Sequence, residues 1–133
     1  GAERLEFVEA IVSGRPAFIP LAGPANKQGR IAADNIAGLD SAYTGTQGSA
    51  VVRVFDMTVA TTGLNERTAS AAGFHFDKTY LFAGSHASYY PGASSMSIKV
   101  LWERESLRLL GTWVEHPSFG HQLTIVSARN ARR

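Results

Sequence analysis

The stretch Ser49–Gly63, SAVVRVFDMTVATTG, narrows the folds open to this chain more than any other. It is rich in β-branched residues and alternates with a period of two, which suits a pleated strand rather than a helix. Val52, Val54 and Asp56 are expected to oppose Val51, Arg53 and Phe55, and Met57–Thr62 either continues the strand or starts a second one. Three further strands are expected at about Phe74–Phe82, Ser97–Trp102 and Leu107–Val114, the last two joined by the polar turn Glu103–Ser106. Asn65 is placed to cap a short helix over Glu66–Ala72, closed by Gly73. Upstream, Leu5, Val8, Ile11 and Val12 fall at helical spacing, predicting an amphipathic helix over Glu3–Ser13 that ends near Gly14. GRPAFIP then reads as an extended linker between two proline signals. A second helix is predicted with Pro24 in its first turn, running to Ile36 and stopping at Gly38. The expected fold class is α+β, a mostly antiparallel sheet with helices packed on one face.

At 133 residues the chain is one domain by length, long enough to bury a core without staples. A formal net charge of +2 is too small to point to nucleic acid, and the basic run Ala128–Arg133 reads as a solvated tail. No apolar run approaches the roughly 18 residues that span a bilayer, so no membrane partner is expected. The N-terminal segment is acidic and amphipathic rather than basic and then apolar, so no signal peptide is expected and the location is read as cytoplasmic. The chain has no cysteine, which excludes disulfides, thiolate metal sites and a cysteine nucleophile within it.

Two segments carry chemistry. The helix start Leu21-Ala22-Gly23-Pro24-Ala25 directs backbone N–H groups and the positive end of the helix dipole outward. Ala22, Ala25, Gly29, Ala32 and Ala33 are small enough to admit a ring or another backbone. The same features suit an ordinary helix packed closely on a sheet, and the glycine spacing matches no phosphate-binding fingerprint. The loop SHASYYPGASS, Ser85–Ser95, gathers hydroxyls, a histidine and two adjacent tyrosines around a proline-glycine turn. It reads equally as a contact loop and as a structured turn. His75, His86, His116 and His121 are scattered, so no metal site is expected, and no carboxylate pair or nucleophile elbow is visible.

Four segments, FIPLAGPANKQGRIAADNIAG, YTGTQGSAVVRVFDMTVATTGLNE, SHASYYPGASSMSIKVLWE and LLG, resemble the C-terminal part of a flavoprotein family. These are the coenzyme A-disulfide reductase and NADH oxidase-like members of the pyridine nucleotide-disulfide oxidoreductases. The resemblance covers roughly Glu6–Gly111, in the expected order and spacing. It implies an FAD domain with a redox cysteine and an NAD(P)H domain upstream, and a C-terminal dimerisation domain. On that basis residues 1–40 are the end of the FAD domain, including its helical remnant, residues 41–115 the interface domain, and residues 116–133 an atypical tail. In the family the segment matching Pro20, Leu21 and Ala22 lies beside the flavin, where the Leu21 and Ala22 amides would face its pyrimidine end. A tyrosine matching Tyr89 or Tyr90 would reach the active site of the other subunit, near the thiol and the coenzyme A moiety. The implied state is a homodimer that uses FAD and NAD(P)H when whole. This chain alone is expected to bind neither and to be non-catalytic. The alternative is a stand-alone module that binds a nucleotide-like ligand or self-associates. After Gly111 the family pattern gives way to TWVEHPSFGHQLTIVSARNARR, read as a non-native end produced by a frameshift or as the divergent end of a distant relative.

Overall fold

A computed structural model describes residues 7–117 and divides the chain into two compact units, the first ending at Gly48 and the second beginning at Ser49. The fold class is α+β, as expected.

The first unit opens with a hairpin rather than the predicted helix. Strand β1 (Phe7–Ala10) pairs antiparallel with β2 (Arg15–Phe18), from Phe7 opposite Phe18 to Ala10 opposite Arg15. The four residues between them form a turn in which Gly14 N–H donates to the Ala10 carbonyl at 2.8 Å, with Gly14 at φ 65°. The helical spacing around Val8 lost to this local pairing. A left-handed glycine lets the chain fold straight back on itself, and a short apolar window fits either period. Pro16 is tolerated because each strand of a two-stranded ribbon is an edge. The end of the unit returns to this turn, where Ile11 N–H donates to Thr46 O at 3.0 Å.

Helix α1 (Ala22–Ile36) follows with Pro24 in its first turn, where the missing N–H costs little. It closes on Ala37 and Gly38. Gly38 sits at φ 86°, and Leu39 N–H donates back to Asp34 O at 2.9 Å. Asn35 then ties the exit loop to the helix, donating to Ser41 O at 2.9 Å and accepting from Ser41 N–H at 3.2 Å. No residue of α1 is buried.

The second unit is a five-stranded sheet, antiparallel throughout, in the order β3-β4-β7-β6-β5. Its strands are β3 (Ala50–Val54), β4 (Met57–Gly63), β5 (Phe76–Gly84), β6 (Ser95–Glu103) and β7 (Leu109–Pro117). Met57 therefore starts a second strand. The turn between β3 and β4 holds Phe55 at φ 52°, a conformation that costs a bulky residue about 1–2 kcal/mol. The expected opposition of faces along β3 has no buried side: Val51, Val52 and Val54 are all more than half exposed.

Between β4 and β5 lies helix α2 (Glu66–Ala71), begun by a reciprocal cap. Asn65 Oδ1 accepts from Thr68 N–H at 2.9 Å, and Thr68 Oγ1 accepts from Asn65 N–H at 2.9 Å. Glu66 binds Lys78 of β5 at 2.8 Å and Lys99 of β6 at 3.0 Å, and Ala69 is fully buried. Leu101, on the Lys99 side of β6, is 1% exposed. The opposite face carries an apolar row across all five strands, Val51-Ala60-Val114-Ile98-Leu81. Ala60 in that row is buried, whereas Val51 and Leu81 at its ends are exposed.

Candidate functional site

The predicted residues fall in two groups, one in each unit. Pro20, Leu21 and Ala22 form the entry to α1. Leu21 is the N-cap residue, extended at φ −115° and ψ 145°, and it supplies no side-chain hydrogen bond. Its own N–H is already used, donating to the Ile19 carbonyl at 2.8 Å, and its carbonyl accepts from Ala25 N–H at 3.1 Å. Pro24 has no N–H to give. The first turn therefore presents the Ala22 and Gly23 amides, with no acidic side chain in that turn to compete for them. A Cβ built on Gly23 meets nothing within 4 Å, and the same holds at Gly29. This surface leaves room for the edge of a ligand bearing acceptor atoms. Of the expected pair of amides, Leu21 N–H is engaged with Ile19, and the Ala22 and Gly23 amides stand at the head of the helix.

Tyr89 and Tyr90 lie in the loop between β5 and β6, and the structure brings their rings together, with centroids 4.8 Å apart. Tyr89 is 81% exposed and Tyr90 59% exposed, so Tyr89 is the more freely presented of the two. His86 stands 6.4 Å from Tyr90, ring centre to ring centre. The loop neck is closed by two serines: Ser85 N–H donates to Ser94 O at 2.8 Å, and Ser94 N–H donates to Ser85 Oγ at 3.3 Å. Ser85 Oγ also lies 3.0 Å from His86 Nδ1. Ser94 Oγ reaches β7, 2.9 Å from His116 Nε2 and donating to Pro117 O at 3.0 Å. His116 is 2% exposed.

Ser85, Ser94 and His116 were not singled out as a group by the sequence. The serines were visible as part of a hydroxyl-rich loop, but the partner of Ser94 lies 22 residues further on, in the segment read as an atypical tail. Residues Thr112–Pro117 nonetheless pair in continuous register with β4, so β7 runs unbroken through the point where the family pattern departs. His121 and residues 118–133 of the expected tail lie outside the described residues.

Elsewhere in the second unit a recess of about 100 Å³ is lined by Thr61, Asn65, Lys99, Thr112 and Trp113 among others. That is well below the few hundred Å³ of an ordinary ligand site. Among the described residues no group of three His, Cys, Asp or Glu side chains could hold a metal ion, and no helix is long and apolar enough to cross a membrane.

No protein-family model matches the chain. It is 35% identical over 101 residues to an NAD(P)H sulfur oxidoreductase (CoA-dependent) of Pyrococcus abyssi, a match covering 76% of this chain and 23% of that protein. It is 33% identical over 96 residues to the coenzyme A disulfide reductase of Staphylococcus epidermidis, covering 71% of this chain and 22% of the relative. Among solved structures, the reduced Bacillus anthracis CoADR-RHD superposes with a TM-score of 0.78 at 42% identity, over 84% of this chain and 20% of that one. An NAD-dependent persulfide reductase from A. fulgidus superposes with a TM-score of 0.81 at 31% identity, over 85% and 21%. The chain thus matches, at family level, the coenzyme A-disulfide reductase-like pyridine nucleotide-disulfide oxidoreductases, and it spans about a quarter of the length of the curated relatives it matches.

Proposed function

We propose that this chain is the interface part, with the last piece of the FAD domain, of an FAD-dependent NAD(P)H:disulfide oxidoreductase of the coenzyme A-disulfide type. The observation that carries the reading is a helix with no buried residue inside a segment that aligns with about a quarter of such enzymes. A 15-residue helix is not kept folded by propensity alone, so α1 needs an apolar or ring-bearing surface from outside its own unit. The upstream part of the FAD domain, with its cofactor, is that surface.

Each group of residues then has a task. The Ala22 and Gly23 amides donate toward acceptor atoms of the flavin ring, and the helix dipole favours negative charge there. When bound, the flavin supplies the hydride and electron transfer that no side chain of this chain provides. One of Tyr89 and Tyr90 presents its hydroxyl toward the disulfide or thiol of the other subunit's active site. Thiol–disulfide exchange needs a thiolate, and the chain contains no cysteine, so the redox step belongs to the upstream part. The apolar row ending in Val51 and Leu81 is surface for the second copy of a homodimer. A reducing cytoplasmic setting suits such an enzyme.

The absorbance spectrum of the purified chain tests this. No bound flavin is expected, because the chain carries only one edge of the pocket. Stoichiometric flavin on the isolated chain would instead establish a stand-alone nucleotide-like binding module.

A further inference from the structure

We propose that His116 and Ser94 are positioning residues for the tyrosine loop, fastening its neck to the middle of the sheet so that Tyr89 and Tyr90 are held in one place. This rests on the reading of those tyrosines as substrate-facing. A hydroxyl used on a substrate must be held to within about 0.5 Å, and a ten-residue loop with exposed rings does not do that unaided. The loop bridges β5 and β6, but its fastening goes one strand further, to β7, which lies between β4 and β6.

The donor and acceptor count fixes how the fastening works. Ser94 Oγ has one proton, and it goes to the Pro117 carbonyl at 3.0 Å. Toward His116 the hydroxyl must therefore accept, so the imidazole carries its proton on Nε2, 2.9 Å away. Ser94 N–H in turn donates to Ser85 Oγ at 3.3 Å, and the same oxygen lies 3.0 Å from His86 Nδ1. The connection runs from a buried imidazole, through two serines, to a second imidazole beside Tyr90, whose ring touches that of Tyr89. His116 sits where a side chain 2% exposed can hold its orientation without competition from water.

The test uses the full chain by NMR, with Ser94→Ala, His116→Phe and His116→Gln. In the unmodified chain, long-range nitrogen–proton spectra should show the His116 proton on Nε2. Ser94→Ala should speed amide exchange at Ser85 by about tenfold, the factor expected for one net hydrogen bond, and should erase the ring contact between Tyr89 and Tyr90. His116→Phe should do the same, while His116→Gln, which keeps an N–H donor, should restore both signals. Strand amides of β4 should not respond in Ser94→Ala, which keeps the test valid even if His116→Phe does not fold. A proton on Nδ1 instead, or unchanged Ser85 exchange and ring contact in Ser94→Ala, overturns the proposal. Failure of the substrate-facing reading shows separately, as full disulfide turnover by a parent enzyme lacking both tyrosine hydroxyls while the loop signals stay as predicted.

Discussion

Gly63 of β4 and Gly111 of β7 stand opposite each other in the sheet, and neither has room for a side chain. A Cβ on Gly63 would collide with the Leu110 carbonyl, and one on Gly111 with the Leu64 carbonyl. Leu64 N–H meanwhile donates to Leu110 O at 2.8 Å, which pins the two backbones at this separation. Gly63 adds a φ of 69°, so alanine there is strained as well as crowded. Gly63→Ala and Gly111→Ala should each cost about 2–4 kcal/mol in urea denaturation. A loss below about 0.5 kcal/mol at either position would contradict the close approach.

Phe55 should behave oppositely. It is 90% exposed and left-handed, so its ring contributes no packing that offsets the backbone cost. Phe55→Asn is expected to stabilise the chain by about 0.5–1 kcal/mol, since asparagine tolerates this conformation. If the ring serves the proposed dimer, the same variant should weaken self-association in sedimentation at matched concentration. A destabilised monomer would show that the ring packs within the chain.

Asn65→Ala should cost about 1 kcal/mol, because it removes one half of the reciprocal cap on α2 and leaves Thr68 N–H without its acceptor. Thermal unfolding measures it directly. Asn65→Asp, which keeps the acceptor, should lose little.

The hydrogen bonds from Lys78 and then Lys99 hold the Glu66 carboxyl below the ordinary glutamate range, and the bond from Glu66 raises Lys78 above the ordinary lysine range. A lowered carboxylate contributes stability above its unfolded value and loses it as pH falls through its folded value. A raised lysine contributes below its unfolded value and loses it as pH rises through its folded value. The stability gap between the unmodified chain and Glu66→Gln should therefore hold across neutral pH and close on acidification. Because these side chains are partly exposed, the gap should also shrink in high salt. A gap that survives well below the glutamate range would assign it to something other than this ion pair.

In a parent enzyme carrying this segment, Tyr89→Phe and Tyr90→Phe should separate. The hydroxyl that contacts the reacting group should slow disulfide turnover by at least about tenfold when removed, and the other should not. Tyr89, the more exposed, is the expected one. Negligible effects from both would remove the loop from the site.

Local signals were the readable ones. Asn65 and Gly73 bracket α2, and Pro24 and Gly38 bracket α1, because caps and terminators act on neighbouring backbone. Alternation similarly marked β3 and β4, and strands were expected within a few residues of where β5, β6 and β7 lie. What escaped depended on partners distant in sequence or on competition between periods. Val8 sits at a helical interval from Ile11, yet its backbone pairs with Ala17. Nothing near Ser94 announces His116, and nothing in β4 announces that β7 will lie beside it. At the start of α1, the short-range bond from Leu21 N–H to the Ile19 carbonyl has no sequence signal of its own.

The placement of β7 also bears on how the domain comes into being. It is the last described strand to leave the ribosome, yet it occupies the centre of the sheet, with β4 on one side and β6 on the other. Until it arrives, the β3–β4 ribbon and the β5–β6 ribbon have no backbone bonds to each other. Each exposes an unpaired inner edge that a neighbouring nascent chain could capture. Among the described strands, β7 thus joins by insertion rather than by addition. The domain's most vulnerable moment is the one before β7 emerges, when the other four described strands of the sheet are already waiting.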